Sequence, residues 1–344
     1  MPLPLPRVQA WLEQLFPHAP GPPHLTPLAA DASSKRFWRA RWSRPQAGLP
    51  ASCVVMRLEP WEASQPPSFL SVGDHLRASG VRVPQVYGAC PPAGLLCLED
   101  FGDRTLAQQW RVASASGRRE WGQRAIDELV KLHTAATRRD DPACPALHLA
   151  FDVAKFLEEL HFFRQHALEG LWQRWLSPAE REAFTAACLP LCTVLAAQPR
   201  YFCHRDYHGW NLMATRHGIG VLDFQDARLG PQPYDLMSLL TDRGTPALLG
   251  DALLQALVAY YLRRMEAEEG RRIERAAFAE LCDLVAVQRG LKAIGTFAYQ
   301  ATARARRHYL AYIPPTLAYV WPRLQRHGLL RPLAAVLRRY LPSA

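Results

Sequence analysis

The sequence lacks several patterns that would assign a function or compartment directly. Its 344 residues contain eight cysteines but no CxxC pair, so we expect reduced, buried thiols and neither a zinc ribbon nor a dithiol redox site. No apolar run reaches the roughly 18 residues that a transmembrane helix needs, so no membrane span is expected. The first residues show no basic segment followed by an apolar one. We therefore expect no secretory signal and a cytoplasmic location.

Lysine is scarce although the chain is basic. Only four of the 41 basic residues are lysines, and the net charge is +10. No run of five basic residues and no basic stripe with interleaved aromatic residues occurs, so nucleic acid is not an expected partner. The charge is compatible with a solvated basic surface or with a pocket for an anionic ligand such as a nucleotide or an acidic metabolite.

The length and the 49% apolar content predict two lobes with a substantial core. Up to about residue 100 the pattern predicts strand, strand, strand, helix, strand, strand, preceded by a short helix at 7–16. Thereafter a 3.6-residue periodicity dominates. It predicts helical stretches at 104–139, 152–168, 178–197, 246–269, 273–309 and 315–341. A ligand is expected at the cleft between the two lobes.

The segment 200–235 interrupts this helical pattern and carries the residues suited to chemistry. Asp206 and Asn211 have the spacing H-R-D-x-x-x-x-N of the kinase catalytic loop, and Asp223, followed by phenylalanine, comes twelve positions after Asn211. Gln225 replaces the glycine of the usual Asp-Phe-Gly. In phosphoryl transfer one carboxylate orients the attacking hydroxyl, while an amide oxygen and a second carboxylate hold Mg²⁺ against the phosphates. We therefore expect ATP and Mg²⁺ as cofactors.

Each of these residues could also have an ordinary structural role. Alone, Asp206 or Asn211 would be a turn residue, and Asp223 could simply end a strand. We expect His204 to brace the loop rather than to act in catalysis. Asp235 could cap the helix that follows it or anchor the catalytic loop, and the sequence leaves both roles open. The combination within one segment favours phosphoryl transfer.

Four segments resemble the aminoglycoside phosphotransferase and choline kinase-like family, which shares the protein-kinase fold. They are DASSKRFWR from residue 31, LCLEDFGDRTL from 96, CHRDYHGWNLM from 203 and GVLDFQDARLGPQPYDLMSLL from 220. The last two are specific to the family. The first two, with the strand that begins PQVY at Pro84, resemble more narrowly the anomeric N-acetylmuramate and N-acetylglucosamine kinases of cell-wall recycling.

The resemblance implies an α+β, two-lobed, protein-kinase-like fold. Residues 1–99 would form a nucleotide-binding lobe with a small antiparallel sheet, 100–105 the hinge, and 106–344 a mainly helical catalytic and substrate-binding lobe. Asp206 would be the catalytic base, and Asn211 and Asp223 would be the magnesium ligands.

The resemblance also implies a set of nucleotide-binding residues, with two departures from the usual kinase pattern. Glu99 to Phe101 would contact adenine at the hinge. No G-x-G-x-x-G loop is present, so its place would fall to Ser33, Ser34 and Lys35. Arg57 stands where kinases carry a strand lysine, and the next predicted helix offers it only Asp74. Arg57 could bind phosphate in a bidentate manner or be an exposed strand-end arginine.

Charge and aromatic content bear on the acceptor. Residues 106–344 carry 31 basic and 23 acidic residues, which suits an acidic sugar better than a polycationic aminoglycoside. Choline would need an aromatic cage, for which the candidates are Trp172, Trp175, Trp210 and Tyr234. We expect a monomeric, ATP-dependent kinase acting on the anomeric hydroxyl of N-acetylmuramate or N-acetylglucosamine. The alternatives are an aminoglycoside, choline or another small alcohol.

Two further classes are less favoured. A protein kinase would need an activation segment ending in A-P-E, and the short stretch between Asp223 and Asp235 leaves little room for one. A non-catalytic nucleotide-binding or nucleic-acid-binding protein is disfavoured because Asp206, Asn211 and Asp223 are all present.

Overall fold

An antiparallel sheet of five strands dominates the N-terminal part of the protein. The computed structural model describes residues 5–28, 36–44 and 48–341. The strands follow the order β1-β2-β3-β5-β4, which confirms the predicted sheet and its sequence of elements. In chain order the elements are α1 (Leu5–Leu15), β1 (His24–Leu28), β2 (Arg36–Arg41), β3 (Ser52–Arg57), α2 (Ser68–Ala78), β4 (Val86–Cys90) and β5 (Leu95–Glu99).

The two faces of this sheet pack against different helices. Cys53 and Val55 of β3 belong to a small cluster with α1, whereas Met56 belongs to the main core together with α2. Because side chains alternate along a strand, Arg57 belongs to the same face as Cys53 and Val55. Its cross-strand partner Leu95 lies in the α1 cluster as well.

Helices form most of the remaining chain, as predicted. They are α3 (Leu106–Val112), α4 (Ala115–Lys131), α5 (Val153–Phe163), α6 (Pro178–Ala196), α7 (Tyr234–Thr241), α8 (Thr245–Leu249), α9 (Asp251–Glu269), α10 (Arg275–Thr302), α11 (Ile313–Arg326) and α12 (Arg331–Tyr340). Single π-helical segments continue α4 over Leu132–Ala136 and α5 over Arg164–Leu171. Among the described residues, none of these helices combines the length and the apolarity needed to cross a membrane.

The predicted helical stretches 152–168 and 178–197 are continuous in the structure, but the other four were wrong in their continuity. The 104–139 stretch breaks before α4, where Ser114 accepts a hydrogen bond from the Gly117 N–H and caps a new helix. The 246–269 stretch divides at Gly250, whose φ of 75° is incompatible with an α-helix. The 273–309 stretch ends as a regular helix at Thr302, and the last one divides between α11 and α12. Periodicity detects the buried faces, but these local caps and turns set the ends of the helices.

Two small two-stranded sheets occupy the non-helical segment. The strand β6 (Arg200–Cys203) pairs with β9 (Arg228–Pro231), and β7 (Leu212–Thr215) pairs with β8 (Gly218–Val221), all antiparallel. The long helix α10 packs on α5, α7 and α11. Its approach to α5 is close, because a Cβ at Gly295 would lie 2.7 Å from the Phe163 Cα. The two small sheets, α7 and α10 together position the candidate site.

Candidate active site

The β7–β8 hairpin places two predicted metal ligands side by side. Leu212 of β7 pairs with Val221 of β8, and just beyond this pair the Leu222 N–H donates to the Asn211 carbonyl oxygen at 2.9 Å. Asp223 follows Leu222 directly. Asn211 and Asp223 therefore lie at the same end of one hairpin.

Asp223 has an unusual backbone conformation. Its φ of 62° lies in the left-handed region, which non-glycine residues adopt rarely and often at functional sites. The side chain is exposed, and Gln225 Nε2 donates to its Oδ1 at 2.9 Å. Gln225, the residue that replaces the usual glycine, thus holds the orientation of the carboxylate.

Asp235 anchors the predicted catalytic loop. Its buried carboxylate accepts the backbone N–H groups of His204 at 2.5 Å and Arg205 at 3.0 Å. Of the two roles that the sequence left open, the structure shows the anchoring one, and α7 has no side-chain cap at its first residue. Burial raises the pKa of Asp235, although His204 and Arg289 oppose the shift.

His204 and Arg289 brace the same loop. His204 Nε2 donates to the Leu222 carbonyl oxygen at 2.7 Å, which confirms the predicted bracing role and ties the loop to the residue before Asp223. Arg289, buried in α10, donates to the Arg205 carbonyl oxygen at 2.6 Å. Its guanidinium also lies 4.5 Å from the ring centre of Tyr234. The loop is therefore held on both sides of Asp206.

Asp206 is paired with a residue that the sequence interpretation missed. Lys292 Nζ of α10 lies 2.8 Å from Asp206 Oδ1, and Asn211 Nδ2 donates to the Asp206 carbonyl oxygen at 3.0 Å. Burial alone would raise the pKa of Asp206, but the charges of Lys292, Arg205 and Arg289 outweigh it and hold that pKa well below its ordinary value. The carboxylate is therefore ionised at neutral pH.

One signal could have pointed to Lys292. The chain uses arginine almost everywhere, yet this helix position keeps one of only four lysines. A lysine offers a compact, strongly hydrated charge that arginine does not reproduce. Scarcity alone would not have told Lys292 apart from Lys155, which pairs with Glu158 at a surface.

Two arginines that the sequence interpretation missed organise the segment predicted to be the hinge. Arg39 of β2 pairs with Asp100 at 2.6 Å and with Asp103, and Ser52 Oγ donates to Asp100 at 2.6 Å. Burial would raise the pKa of Asp100, but the hydrogen bonds from Arg39 and Ser52 lower it overall. These contacts attach the hinge to the sheet.

Arg82 engages the two predicted adenine-contacting side chains. It pairs with Glu99 at 2.8 Å, and its guanidinium lies 4.9 Å from the ring centre of Phe101. The Phe101 ring also packs directly on β8, because a Cβ at Gly220 would lie 2.4 Å from it. Phe101 thus connects the predicted hinge with the hairpin that ends next to Asp223. The contact of Glu99 and Phe101 with adenine stays a prediction.

The remaining predicted nucleotide-binding residues are Ser33, Ser34, Lys35 and Arg57. Ser33, Ser34 and Lys35 lie outside the described residues. Arg57 ends β3 on the face that carries α1, and Asp74 pairs with Arg77 at 2.7 Å. The phosphate-binding role of Arg57 stays a prediction.

Comparison with known proteins assigns the family. The sequence profile of the phosphotransferase enzyme family matches residues 24–281. The chain belongs to this family. This phosphotransferase is 30% identical over 341 residues to the N-acetylmuramate/N-acetylglucosamine kinase of Neisseria meningitidis serogroup B, covering 96% of this chain and 94% of that protein. It is 29% identical to the enzyme of the same name from Pseudomonas aeruginosa, covering 96% and 95%.

Solved structures show the fold of this phosphotransferase. It superimposes on a choline/ethanolamine kinase family protein from Mesorhizobium loti with a TM-score of 0.58 and 13% identity, covering 97% and 99% of the two chains. It also matches the aminoglycoside phosphotransferase APH(2″)-IIa in complex with streptomycin and ATP, with a TM-score of 0.57, 17% identity and coverage of 96% and 99%. The predicted two-lobed, kinase-like fold is confirmed.

Proposed function

We propose that this protein is an ATP-dependent kinase that phosphorylates the anomeric hydroxyl of N-acetylmuramate and N-acetylglucosamine. The proposal depends on one observation. Asp206 and Asn211 lie in one loop and are joined by a hydrogen bond, and Asp223 lies at the same end of the β7–β8 hairpin as Asn211. Relatives that match almost the whole chain are named as kinases of these two sugars, and they support the choice of acceptor.

The residues present fit a magnesium ion. Asn211 uses its amide nitrogen to brace the loop, which leaves the amide oxygen as the group suited to a hard cation. Asp223 offers an exposed carboxylate at the same end of the hairpin. These two residues would hold Mg²⁺, which when bound neutralises phosphate charge and orients the γ-phosphoryl group.

Asp206 would act on the acceptor. As a carboxylate kept ionised by Lys292, it accepts a hydrogen bond from the sugar hydroxyl and aligns that oxygen with the γ-phosphorus. The new bond joins the sugar oxygen to phosphorus, the bond from phosphorus to the β–γ bridging oxygen of ATP breaks, and the hydroxyl proton passes to Asp206. The bracing of the loop by Asp235 and Arg289 keeps this geometry fixed before the substrate binds.

The nucleotide would lie between the five-stranded sheet and the two small sheets. The hinge side chains Glu99 and Phe101 are held by Arg82, so the backbone of the hinge is the part suited to reading the adenine edge. Arg57 and the segment Ser33 to Lys35 are proposed for the phosphates, as expected from the family resemblance.

The described residues disfavour choline as the acceptor. Tyr234 is buried beneath Arg289, Trp175 is 66% exposed, and Trp172 packs against Phe163. These aromatic residues are thus engaged in separate environments, and the ring of Trp210 lies near two arginines. The positive charge of Lys292 beside Asp206 also disfavours a polycationic aminoglycoside.

A substrate panel tests the proposal. ADP release would be measured with MgATP and, in turn, N-acetylmuramate, N-acetylglucosamine, an aminoglycoside and choline. Turnover is expected with the two N-acetyl sugars, and phosphorus NMR should place the phosphate on C1. The matched control substrate is the methyl glycoside of N-acetylglucosamine, whose C1 oxygen is blocked.

Three outcomes of these experiments would contradict the proposed function. Phosphorylation of the methyl glycoside would contradict the anomeric position, and a preference for choline or an aminoglycoside would contradict the acceptor class. The variant Asp206→Asn, which keeps the size of the side chain, should lower kcat by roughly 10²- to 10⁴-fold. Binding of a non-hydrolysable ATP analogue should persist in that variant. Near-normal turnover would remove Asp206 from its proposed role.

A further inference from the structure

Three side chains of metal-binding type meet in the core, next to the predicted catalytic loop. They are His133, Cys203 and Asp235, and one potential ligand atom of each lies within 4.8 Å of the other two. All three residues are buried, with 1%, 0% and 0% of their surface exposed. We call these three residues the buried site.

Three different elements bring the buried site together. His133 lies in the π-helical segment that continues α4, Cys203 ends β6, and Asp235 lies in the first turn of α7. The Phe202 N–H donates to the Thr137 hydroxyl at 2.8 Å, which fastens β6 to the end of the π-helical segment. Short π-helical segments are rare and occur frequently at functional sites. The surrounding backbone thus holds the three side chains together by itself.

His133 has one nitrogen to offer to a ligand. Its Nδ1 lies 2.7 Å from the Tyr261 hydroxyl, whereas its Nε2 is buried and has no hydrogen-bond partner among the described residues. Buried polar atoms normally have a partner, so such an atom requires an explanation. A hydrogen bond at one ring nitrogen is the usual way in which proteins orient a histidine that binds a metal through the other.

The other two side chains also keep lone pairs for a metal. Cys203 Sγ lies 3.8 Å from the Pro231 carbonyl oxygen, a long and weak contact. Each oxygen of Asp235 accepts one backbone N–H, from His204 or from Arg205, and a carboxylate oxygen has two lone-pair sites. Asp235 can therefore bind a metal and keep both hydrogen bonds to the loop.

This combination of donors fits zinc. An imidazole nitrogen, a thiolate sulfur and a carboxylate oxygen are all zinc ligands, and three such ligands with a water molecule can complete the coordination. Magnesium and calcium prefer oxygen ligands throughout, which disfavours both ions here. Zinc bonds of about 2.0–2.3 Å place the donor atoms roughly 3–4 Å apart, so shifts of about 1 Å would close the buried site around the ion.

We propose that His133, Cys203 and Asp235 bind one zinc ion, which stabilises the core next to the predicted catalytic loop. On binding, the Cys203 thiol releases its proton to solvent and its sulfur bonds to the metal. The thiolate and the carboxylate then balance the two positive charges of the ion, as a buried position requires. The inference goes beyond the proposed function and does not depend on the acceptor.

Metal analysis of the whole chain, without an affinity tag, tests the inference. The protein is unfolded in urea with a chelator, refolded with zinc as the only added metal and passed through gel filtration. The wild type should retain one zinc ion per chain, and Cys203→Ala should retain none. Cys188→Ala is the matched control and should retain zinc, because Cys188 is equally buried but lies in α6, outside the buried site.

Cobalt identifies the sulfur ligand. Refolding with Co²⁺ in place of zinc should give the charge-transfer absorption of a cobalt–thiolate bond in the wild type and in Cys188→Ala, but not in Cys203→Ala. Tyr261→Phe keeps all three ligands and removes the hydroxyl beside His133 Nδ1. It should weaken zinc binding roughly ten- to hundredfold, which competition with a chelator of known affinity measures.

Stability provides an independent measurement. Zinc should raise the urea concentration at which the wild type unfolds and should leave that of Cys203→Ala unchanged, because only a folded state that binds the ion gains stability from it.

Several results would overturn the inference. It is wrong if the refolded wild type carries no zinc, or if Cys203→Ala carries as much zinc as the wild type. If Cys203→Ala does not fold, the absence of cobalt–thiolate absorption in the wild type or an unchanged zinc affinity in Tyr261→Phe overturns it instead. A wild-type protein that binds zinc but phosphorylates neither sugar would contradict the proposed function alone.

Discussion

Lys292 Nζ lies 2.8 Å from Asp206 Oδ1, so a helix in the C-terminal third of the chain supplies the counter-ion of the proposed catalytic carboxylate. Both side chains are partly shielded from solvent, with 14% of Lys292 and 33% of Asp206 exposed. A charge pair in such a position interacts more strongly than one at an open surface. Lys292 therefore belongs to the site as a residue that positions Asp206 and keeps it ionised.

Replacement of Lys292 by methionine should lower kcat roughly ten- to hundredfold with either sugar, because Asp206 loses a charged hydrogen-bond partner. Steady-state kinetics measure this effect, and Lys292→Arg should recover part of the lost rate. The control is Lys155→Met, which removes a lysine that pairs with Glu158 at the surface. Wild-type turnover in Lys292→Met would show that the pair is incidental.

Replacement of Asp223 by asparagine should weaken nucleotide binding only when magnesium is present, since an amide is a poorer ligand for Mg²⁺ than a carboxylate. Titration of the ATP analogue with and without Mg²⁺ by calorimetry measures this difference. Asp226→Asn serves as the matched control, because Asp226 is an exposed carboxylate three positions further along the same loop. An unchanged magnesium dependence in Asp223→Asn would argue against its assignment as a ligand.

Replacement of Asp235 by asparagine should both destabilise the fold and slow turnover. The carboxylate accepts two backbone N–H groups, whereas an asparagine amide would turn its own N–H donors toward one of them. The loss of one buried hydrogen bond should reduce the free energy of unfolding by about 1–3 kcal/mol. Urea unfolding followed by circular dichroism measures the change. If Asp235→Asn unfolds at the same urea concentration as the wild type, the hydrogen bonds from His204 and Arg205 to Asp235 contribute little to the free energy of unfolding.

The buried His133 should make the stability fall in mild acid. Burial lowers its pKa to about 3, and its Nδ1 lies 2.7 Å from the Tyr261 hydroxyl. The unfolded chain has the ordinary pKa of about 6.5 and binds the proton first, so stability is complete above that pH and falls as the pH drops toward 3. This residue alone should remove about 2 kcal/mol between pH 7 and pH 5.

The pH effect is separable by substitution. Between pH 7 and pH 5, the free energy of unfolding should decrease less in His133→Gln than in the wild type. If the free energy of unfolding changes with pH by the same amount in the wild type and in His133→Gln, His133 is protonated in the folded state.

Much of the candidate site could be predicted because it is local in the chain. Asn211 and Asp223 are separated by a hairpin whose two strands are four residues each, so their spacing alone brings them to the same end. His204, Asp206 and Asn211 lie in one loop whose spacing is recognisable by itself. The ends of the helices were less predictable, because single capping residues such as Ser114 interrupt a periodicity that continues on both sides.

The sequence by itself determined the sheet followed by helices, the catalytic loop and the family, because these depend on residues close together in the chain. Only the tertiary structure decided which charges meet. Lys292 is 86 positions from Asp206, and Arg39 is 61 positions from Asp100. No spacing rule relates such pairs, since packing of α10 against the loop and of the sheet against the hinge creates them. The meeting of His133, Cys203 and Asp235 has the same origin.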